Sequence, residues 1–110
     1  MCGIAGLVEG AGLTASAAEF AAALEALRHR GPDDGDVWRE GPVTLGHRRL
    51  SIIDLSPAGR QPMISACERY VITFNGEIYN HGALRAGLDQ QAAHNWRGSS
   101  DTEVFLELIS

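Results

Sequence analysis

Residues 13–30, LTASAAEFAAALEALRHR, form the most sharply punctuated stretch of the chain, and the rest must fold around it. Ser16 with Glu19 three places on has the spacing of a capping box, with Thr14 as an earlier alternative start. Phe20, Leu24 and Leu27 recur at i, i+4 and i+7, which puts one apolar stripe on a helix. Arginine and histidine in the expected last turn suit the carbonyl end of the dipole, and Gly31-Pro32 stops the helix. A helix with a single apolar stripe needs a partner to bury it, and the flanking segments read as strands. Before it, MCGIAGLV alternates short side chains in the manner of a buried strand with close neighbours.

After it, VWREGPVTLGHRRLSIIDL breaks at EGP into a strand pair, with Leu50 and Ile52–Ile53 continuing into another apolar element. SPAGRQP reads as a loop. ERYVITFNGEIYNH reads as a strand, an Asn-Gly turn and a short second strand. Asn80 can cap a helix over HGALRAGL, and DQQAAHNWRG connects it to a last helix in which Ser100 and Glu103 repeat the capping-box spacing. Strand, helix, several antiparallel strands and two helices make an α+β chain. DTEVFLELIS stops while its apolar face is still repeating, so a truncated fold is expected.

Composition sets outer limits. A chain of 110 residues holds one domain, and 45% hydrophobic residues suffice for a core. A net charge of -5 argues against a nucleic-acid surface, which needs a basic field. No run approaches the roughly 18–20 apolar residues of a membrane span, and the start lacks a secretion signal's basic region. Cys2 and Cys67 are expected to be free thiols of a cytoplasmic protein, Cys67 as a small buried packer. His29, His47, His81 and His94 lack metal-ligand spacing, so no metal is expected. No glycine-rich nucleotide loop of the usual spacing occurs, so no cofactor is expected either.

The chemistry-bearing positions are individually ambiguous. Cys2 is a packing residue or a nucleophile. Removal of Met1, which a small second residue permits, would give Cys2 a free α-amine that titrates near ~7.7–8.0 against ~8.5 for a thiol. Such a residue carries its own base, a known variant of the nucleophile–base pair. Asn75-Gly76 is a hairpin turn or a pair of donors for an oxyanion. Arg48 or Arg49 could clamp a carboxylate, and Asp101 could hold an ammonium group or merely begin a helix.

Taken together, MCGIAGLV, LRHRGPDDGDVW, GHRRLSIIDLSPAGRQPM, FNGEIYNHGALR and GSSDTEVFLELI resemble, in order, the glutaminase domain of the asparagine synthetase family, a class II glutamine amidotransferase with an N-terminal nucleophile. The resemblance implies a four-layer αββα sandwich of two antiparallel sheets between helices, of which residues 1–110 are a partial domain. It implies Cys2 as nucleophile, Asn75 and Gly76 as the oxyanion pair, Arg49 on the substrate α-carboxylate, Asp101 on the α-ammonium, and Glu77 in the same pocket. Arg30-Gly31-Pro32-Asp33 would shape the site, Arg48 would be a bystander, and Trp96 would only pack. Glutamine is the implied substrate. The C-terminal synthetase domain, absent here, would use ATP and Mg to convert aspartate to asparagine, and the assembly would be a homodimer. Other expectations are an amidotransferase for a sugar or secondary-metabolite acceptor, a non-catalytic regulatory or assembly module, and an N-terminal-cysteine hydrolase of another amide.

Overall fold

The computed structural model describes residues 2–10, 12, 15–50 and 56–110. Three antiparallel strands form the first sheet, in the order β1 (Gly3–Val8), β3 (Val43–Arg49), β2 (Asp34–Glu40). β2 and β3 are the expected strand pair. Glu40 faces Val43, so Gly41-Pro42 alone make the turn. Gly41 has φ +57°, at the first central position that type II′ hairpins give to glycine. β1 pairs with the other edge of β3, from Gly3 opposite Arg48 to Val8 opposite Val43. It is an edge strand and not the buried strand its sequence suggests, since Ile4 and Val8 are largely exposed.

Cross-strand partners share a face. Gly3, Ala5 and Leu7 therefore lie with Arg48, Gly46 and Thr44 on one side of the sheet. That side receives α1 (Ala17–Glu25), whose buried Phe20 and Leu24 sit so close over Gly46 that a Cβ there would be 2.8 Å from the Phe20 ring. Both bonds of the Ser16–Glu19 capping box are made. The helix is shorter than its apolar repeat: from Ala26 to Arg30 the chain is a run of turns, with Leu27 N–H on Leu24 C=O and Arg30 N–H on Leu27 C=O. Leu27 leaves the helix to pack on Gly3, and the basic residues lie beyond the helix end. Thr14 and Ile52–Ile53 lie outside the described residues.

The second sheet is small: β4 (Met63–Ile64) pairs antiparallel with β5 (Val71–Ile72). The expected Asn75-Gly76 hairpin is not formed. β5 ends at Ile72, and no strand follows among the described residues. The physical reason lies in the backbone groups. Phe74 N–H is taken by the Gln61 side chain at 2.6 Å and Ile78 N–H by Asp101 at 2.8 Å, so side chains occupy the groups a hairpin ladder would use.

α2 (His81–Gln91) packs against α3 (Asp101–Ile109), which contributes the fully buried Val104 and Leu106. Asn80 occupies the N-cap position of α2 but makes no side-chain cap bond. At α3 the Ser100 hydroxyl accepts Glu103 N–H at 3.2 Å, giving half of a capping box. The Glu103 carboxylate turns instead to the N–H groups of Arg97 and Gly98, at 2.9 and 3.1 Å. No helix among the described residues is long and apolar enough to cross a membrane.

Candidate active site

The register of β1 places Cys2 one step beyond the Gly3–Arg48 pair, at the Arg49–Leu50 end of β3. Its half-buried sulfur accepts the Leu50 N–H at 3.3 Å and lies 3.7 Å from the Leu50 carbonyl. Arg30 Nε donates to the Cys2 carbonyl at 3.3 Å. The thiol is thereby fixed at both its main chain and its side chain.

Strand alternation separates the two arginines that sequence alone left equivalent. Arg48 points to the α1 side, where its Nε donates to the Gly31 carbonyl at 3.0 Å. It is no mere bystander, because it holds the 30–33 loop in place. Arg49 points to the opposite side and is buried, with one guanidinium nitrogen donating to the Ser56 carbonyl at 2.8 Å. Asp33 N–H bonds the Arg49 carbonyl at 3.0 Å. Within the 30–33 loop, Arg30, Gly31 and Asp33 therefore bond to Cys2, Arg48 and Arg49 respectively.

A second group gathers at the start of α3. Asn75 is half-buried and Gly76 and Glu77 are exposed, on the segment that leads to Ile78. Asp101 is buried in the first turn of α3, and its Oδ2 accepts Ile78 N–H at 2.8 Å. The Phe74 ring packs on Phe105, with centroids 5.6 Å apart, and folds beneath Gly76, where a Cβ would be 2.8 Å from Phe74 Cζ.

The two groups are joined where β3 crosses residues 73–74. The Thr73 hydroxyl donates to the Gly46 carbonyl at 3.3 Å, and His47 Nε2 meets the Phe74 carbonyl at 3.2 Å. A carbonyl only accepts, so Nε2 carries a proton, and in the neutral ring Nδ1 presents a lone pair. That Nδ1 is buried without a partner among the described residues. Burial lowers the pKa of His47 below the ordinary imidazole value, and the Arg49 charge lowers it further, while the Phe74 bond and Asp34 oppose the shift.

Arg49 and Asp101 are both less than a tenth exposed, yet no ion pair among the described residues includes either. Buried charges ordinarily have a counter-charge, so each is chemically suited to a ligand group of opposite sign. Sequence reasoning missed His47, Gln61 and Thr102. The alternation that puts His47 on the face of Arg49, two residues on, was the available signal for the histidine.

Cys67 is exposed, not the buried packer expected, and its sulfur lies 3.3 Å from the Ser65 hydroxyl. Trp96 does more than fill space: Arg85 lies over its ring at 4.5 Å and its Nε1–H donates to Asp89. Among the described residues no three His, Cys, Asp or Glu side chains gather into a metal-holding group.

The family model described as a glutamine amidotransferase domain matches residues 1–110. The chain is 41% identical to asparagine synthetase [glutamine-hydrolyzing] 3 of Bacillus subtilis (strain 168), over 96% of this chain and 17% of that protein. It is 43% identical to asparagine synthetase B [glutamine-hydrolyzing] of Escherichia coli (strain K12), over 74% of the chain and 14% of the relative. A probable asparagine synthetase [glutamine-hydrolyzing] of Dictyostelium discoideum is 37% identical over 98% of the chain and 19% of its own length. The chain thus spans less than a fifth of these curated relatives. With a family match over its whole length, the chain belongs to the glutamine amidotransferase domain family.

Proposed function

We propose that the chain hydrolyses glutamine to glutamate and ammonia with Cys2 as nucleophile, as the glutaminase part of a larger synthetase that makes asparagine from aspartate. The observation that supports this best is the seat of the thiol: Cys2 Sγ lies on the Leu50 amide, in the residue next to the buried Arg49. In this reading Arg49 takes the substrate's α-carboxylate and Asp101 its α-ammonium, with Glu77 beside them. The two charges supply what an amino acid requires, and a plain amide lacks the groups to use them.

Removal of Met1 leaves Cys2 with a free amine that accepts the thiol proton. Sulfur attacks the side-chain amide carbon, a C–S bond forms, and the carbonyl electron pair moves onto oxygen. Asn75 Nδ2 and the Gly76 N–H receive that oxyanion, each donor contributing roughly 3 kcal/mol to the transition state. Collapse breaks the C–N bond, and the amine returns its proton to the departing ammonia. Water then attacks the thioester, the C–S bond breaks, and glutamate leaves as the thiol is restored. No step here draws on ATP or magnesium, which this reading assigns to the synthetase part. The same reading takes α1, the two sheets and the α2–α3 pair as layers of an αββα sandwich.

Intact-mass analysis after treatment with a glutamine chloroketone tests the proposal, using a Cys67→Ser background because Cys67 is exposed. One adduct on Cys2 of a chain without Met1 is expected. A correctly processed chain that takes up no reagent would overturn the mechanism.

A further inference from the structure

The polar groups that hold Phe74 are side chains and not the backbone of a neighbouring strand. Its N–H goes to Gln61 Oε1 at 2.6 Å and its C=O receives His47 Nε2 at 3.2 Å. The same Gln61 side chain turns its amide nitrogen to the Thr102 hydroxyl at 3.2 Å. Gln61, His47 and Thr102 are all buried. Each is also linked to a position of the proposed site, Gln61 through Phe74 and Thr102. Phe74 precedes Asn75, Thr102 follows Asp101, and His47 shares a face of β3 with Arg49.

We infer that Gln61 is a positioning residue that sets Asn75 and Asp101 at a fixed separation, so that the oxyanion donors and the ammonium-binding carboxylate engage one glutamine together. This rests on the proposed function. The argument is one of valence. A glutamine side chain offers a carbonyl oxygen and an NH2 group in one rigid plane, and here the oxygen serves the oxyanion segment while the nitrogen serves α3. Neither contact can be lost without leaving a buried polar group unpaired, so the plane cannot rotate freely. Asn75 lies on a segment without strand pairing among the described residues, so its position depends on these two side-chain grips on Phe74. Asp101 is tied in turn to Ile78, three residues beyond Asn75, which closes a loop of contacts: Gln61–Phe74–Asn75–Ile78–Asp101–Thr102–Gln61. A purely structural brace would need only shape; this one couples the two ends of the substrate.

The test compares Cys2 modification by a glutamine chloroketone with modification by iodoacetamide in the full 110-residue chain carrying Cys67→Ser. Gln61→Met, which keeps the length and removes both polar groups, should slow the saturating chloroketone rate by about tenfold and raise its half-saturation concentration. Its iodoacetamide rate at Cys2 should stay within about twofold of the parent, because that reagent uses neither Asn75 nor Asp101. Thr102→Val should show the same chloroketone effect at about threefold with an unchanged melting temperature, and Thr102→Ser should restore the parent rate. Parent-like chloroketone kinetics in both Gln61→Met and Thr102→Val would overturn the inference. So would a Gln61→Met chain that is merely less stable, reacting differently with both reagents in parallel, beside a Thr102→Val chain of parent-like kinetics. A parent chain alkylated at Cys2 by iodoacetamide but never by the chloroketone would instead defeat the glutaminase reading itself, and this inference with it.

Discussion

Gly31 and Arg49 are in backbone contact: a Cβ on Gly31 would lie 2.6 Å from the Arg49 amide nitrogen and closer still to the Arg48 carbonyl. The turn after α1 thus rests directly on the end of β3 that carries the buried arginine and faces Cys2. Because the obstructing atoms are main chain, they cannot swing aside. Gly31→Ala should destabilise the fold by about 2–3 kcal/mol, the upper range for overpacking, and should slow Cys2 capture of a glutamine chloroketone. Urea denaturation and intact-mass kinetics on the same variant check both parts.

Gly46 gives the contrasting case. A Cβ there meets the far end of the Phe20 ring at 2.8 Å and the Leu24 methyls at 3.1 and 3.2 Å, all of them side-chain atoms. Phe20 and Leu24 can rotate or lift with α1, so Gly46→Ala should cost about 1 kcal/mol, less than Gly31→Ala. Equal losses in urea denaturation would contradict this ranking.

The difference between these glycines shows what could and could not be foreseen from the letters. Local signals worked where the chain satisfies its own groups: the Ser16–Glu19 box, the Gly41-Pro42 turn and the Phe20–Leu24 stripe all formed. They failed where distant side chains intervened. Asn75-Gly76 has the strongest short-range hairpin signal in the chain, yet Gln61 and Asp101 capture the backbone on either side of it. Glu103 has box spacing, but the Arg97 and Gly98 amides claim its carboxylate. For the site, the letters supplied the residue types and the resemblance supplied roles. The opposite faces of Arg48 and Arg49, and the buried bridge through His47 and Gln61, came from the packing of one sheet on another segment.

His47 predicts a pH dependence. Its lowered pKa reflects burial first, then Arg49, against the opposing Phe74 carbonyl and Asp34. With the folded value below the unfolded value of about 6.5, the unfolded chain binds the proton more readily. The stabilising contribution is therefore complete above about pH 6.5 and is lost as pH falls through the folded value. The urea midpoint of the parent minus that of His47→Gln should be flat above about pH 6.5 and shrink below it. A difference that does not vary with pH would mean that His47 does not titrate as its setting requires.

Cys67 should be the faster of two ordinary surface thiols, had the chain a second. The Ser65 hydroxyl, 3.3 Å from the sulfur, is the main cause of a lowered thiol pKa, with Arg69 assisting. A lower pKa raises the thiolate fraction near neutrality, and the thiolate is the species that is alkylated. Ser65→Ala should slow iodoacetamide labelling of Cys67 at pH 7 and shift the pH–rate profile upward. The comparison needs Cys2→Ser in both chains, so that only one thiol is read.

Arg49 and Asp101 offer the sharpest test of the pocket. Both are buried without an ion-pair partner among the described residues, and each already makes one bond to the main chain, to Ser56 and Ile78. Arg49→Lys keeps the charge but loses the planar fork that grips a carboxylate in two places. Asp101→Asn keeps the shape and an oxygen able to accept Ile78 N–H but removes the charge. Each should raise the half-saturation concentration for the glutamine chloroketone by about tenfold to a hundredfold, the range for losing a charge-assisted hydrogen bond. Iodoacetamide should still reach Cys2 at nearly the parent rate. The direction is diagnostic when the reagent is altered: a chloroketone lacking the α-amine should be insensitive to Asp101→Asn while still losing affinity with Arg49→Lys. If the two variants respond alike to that truncated reagent, the two charges do not divide the substrate's ends between them.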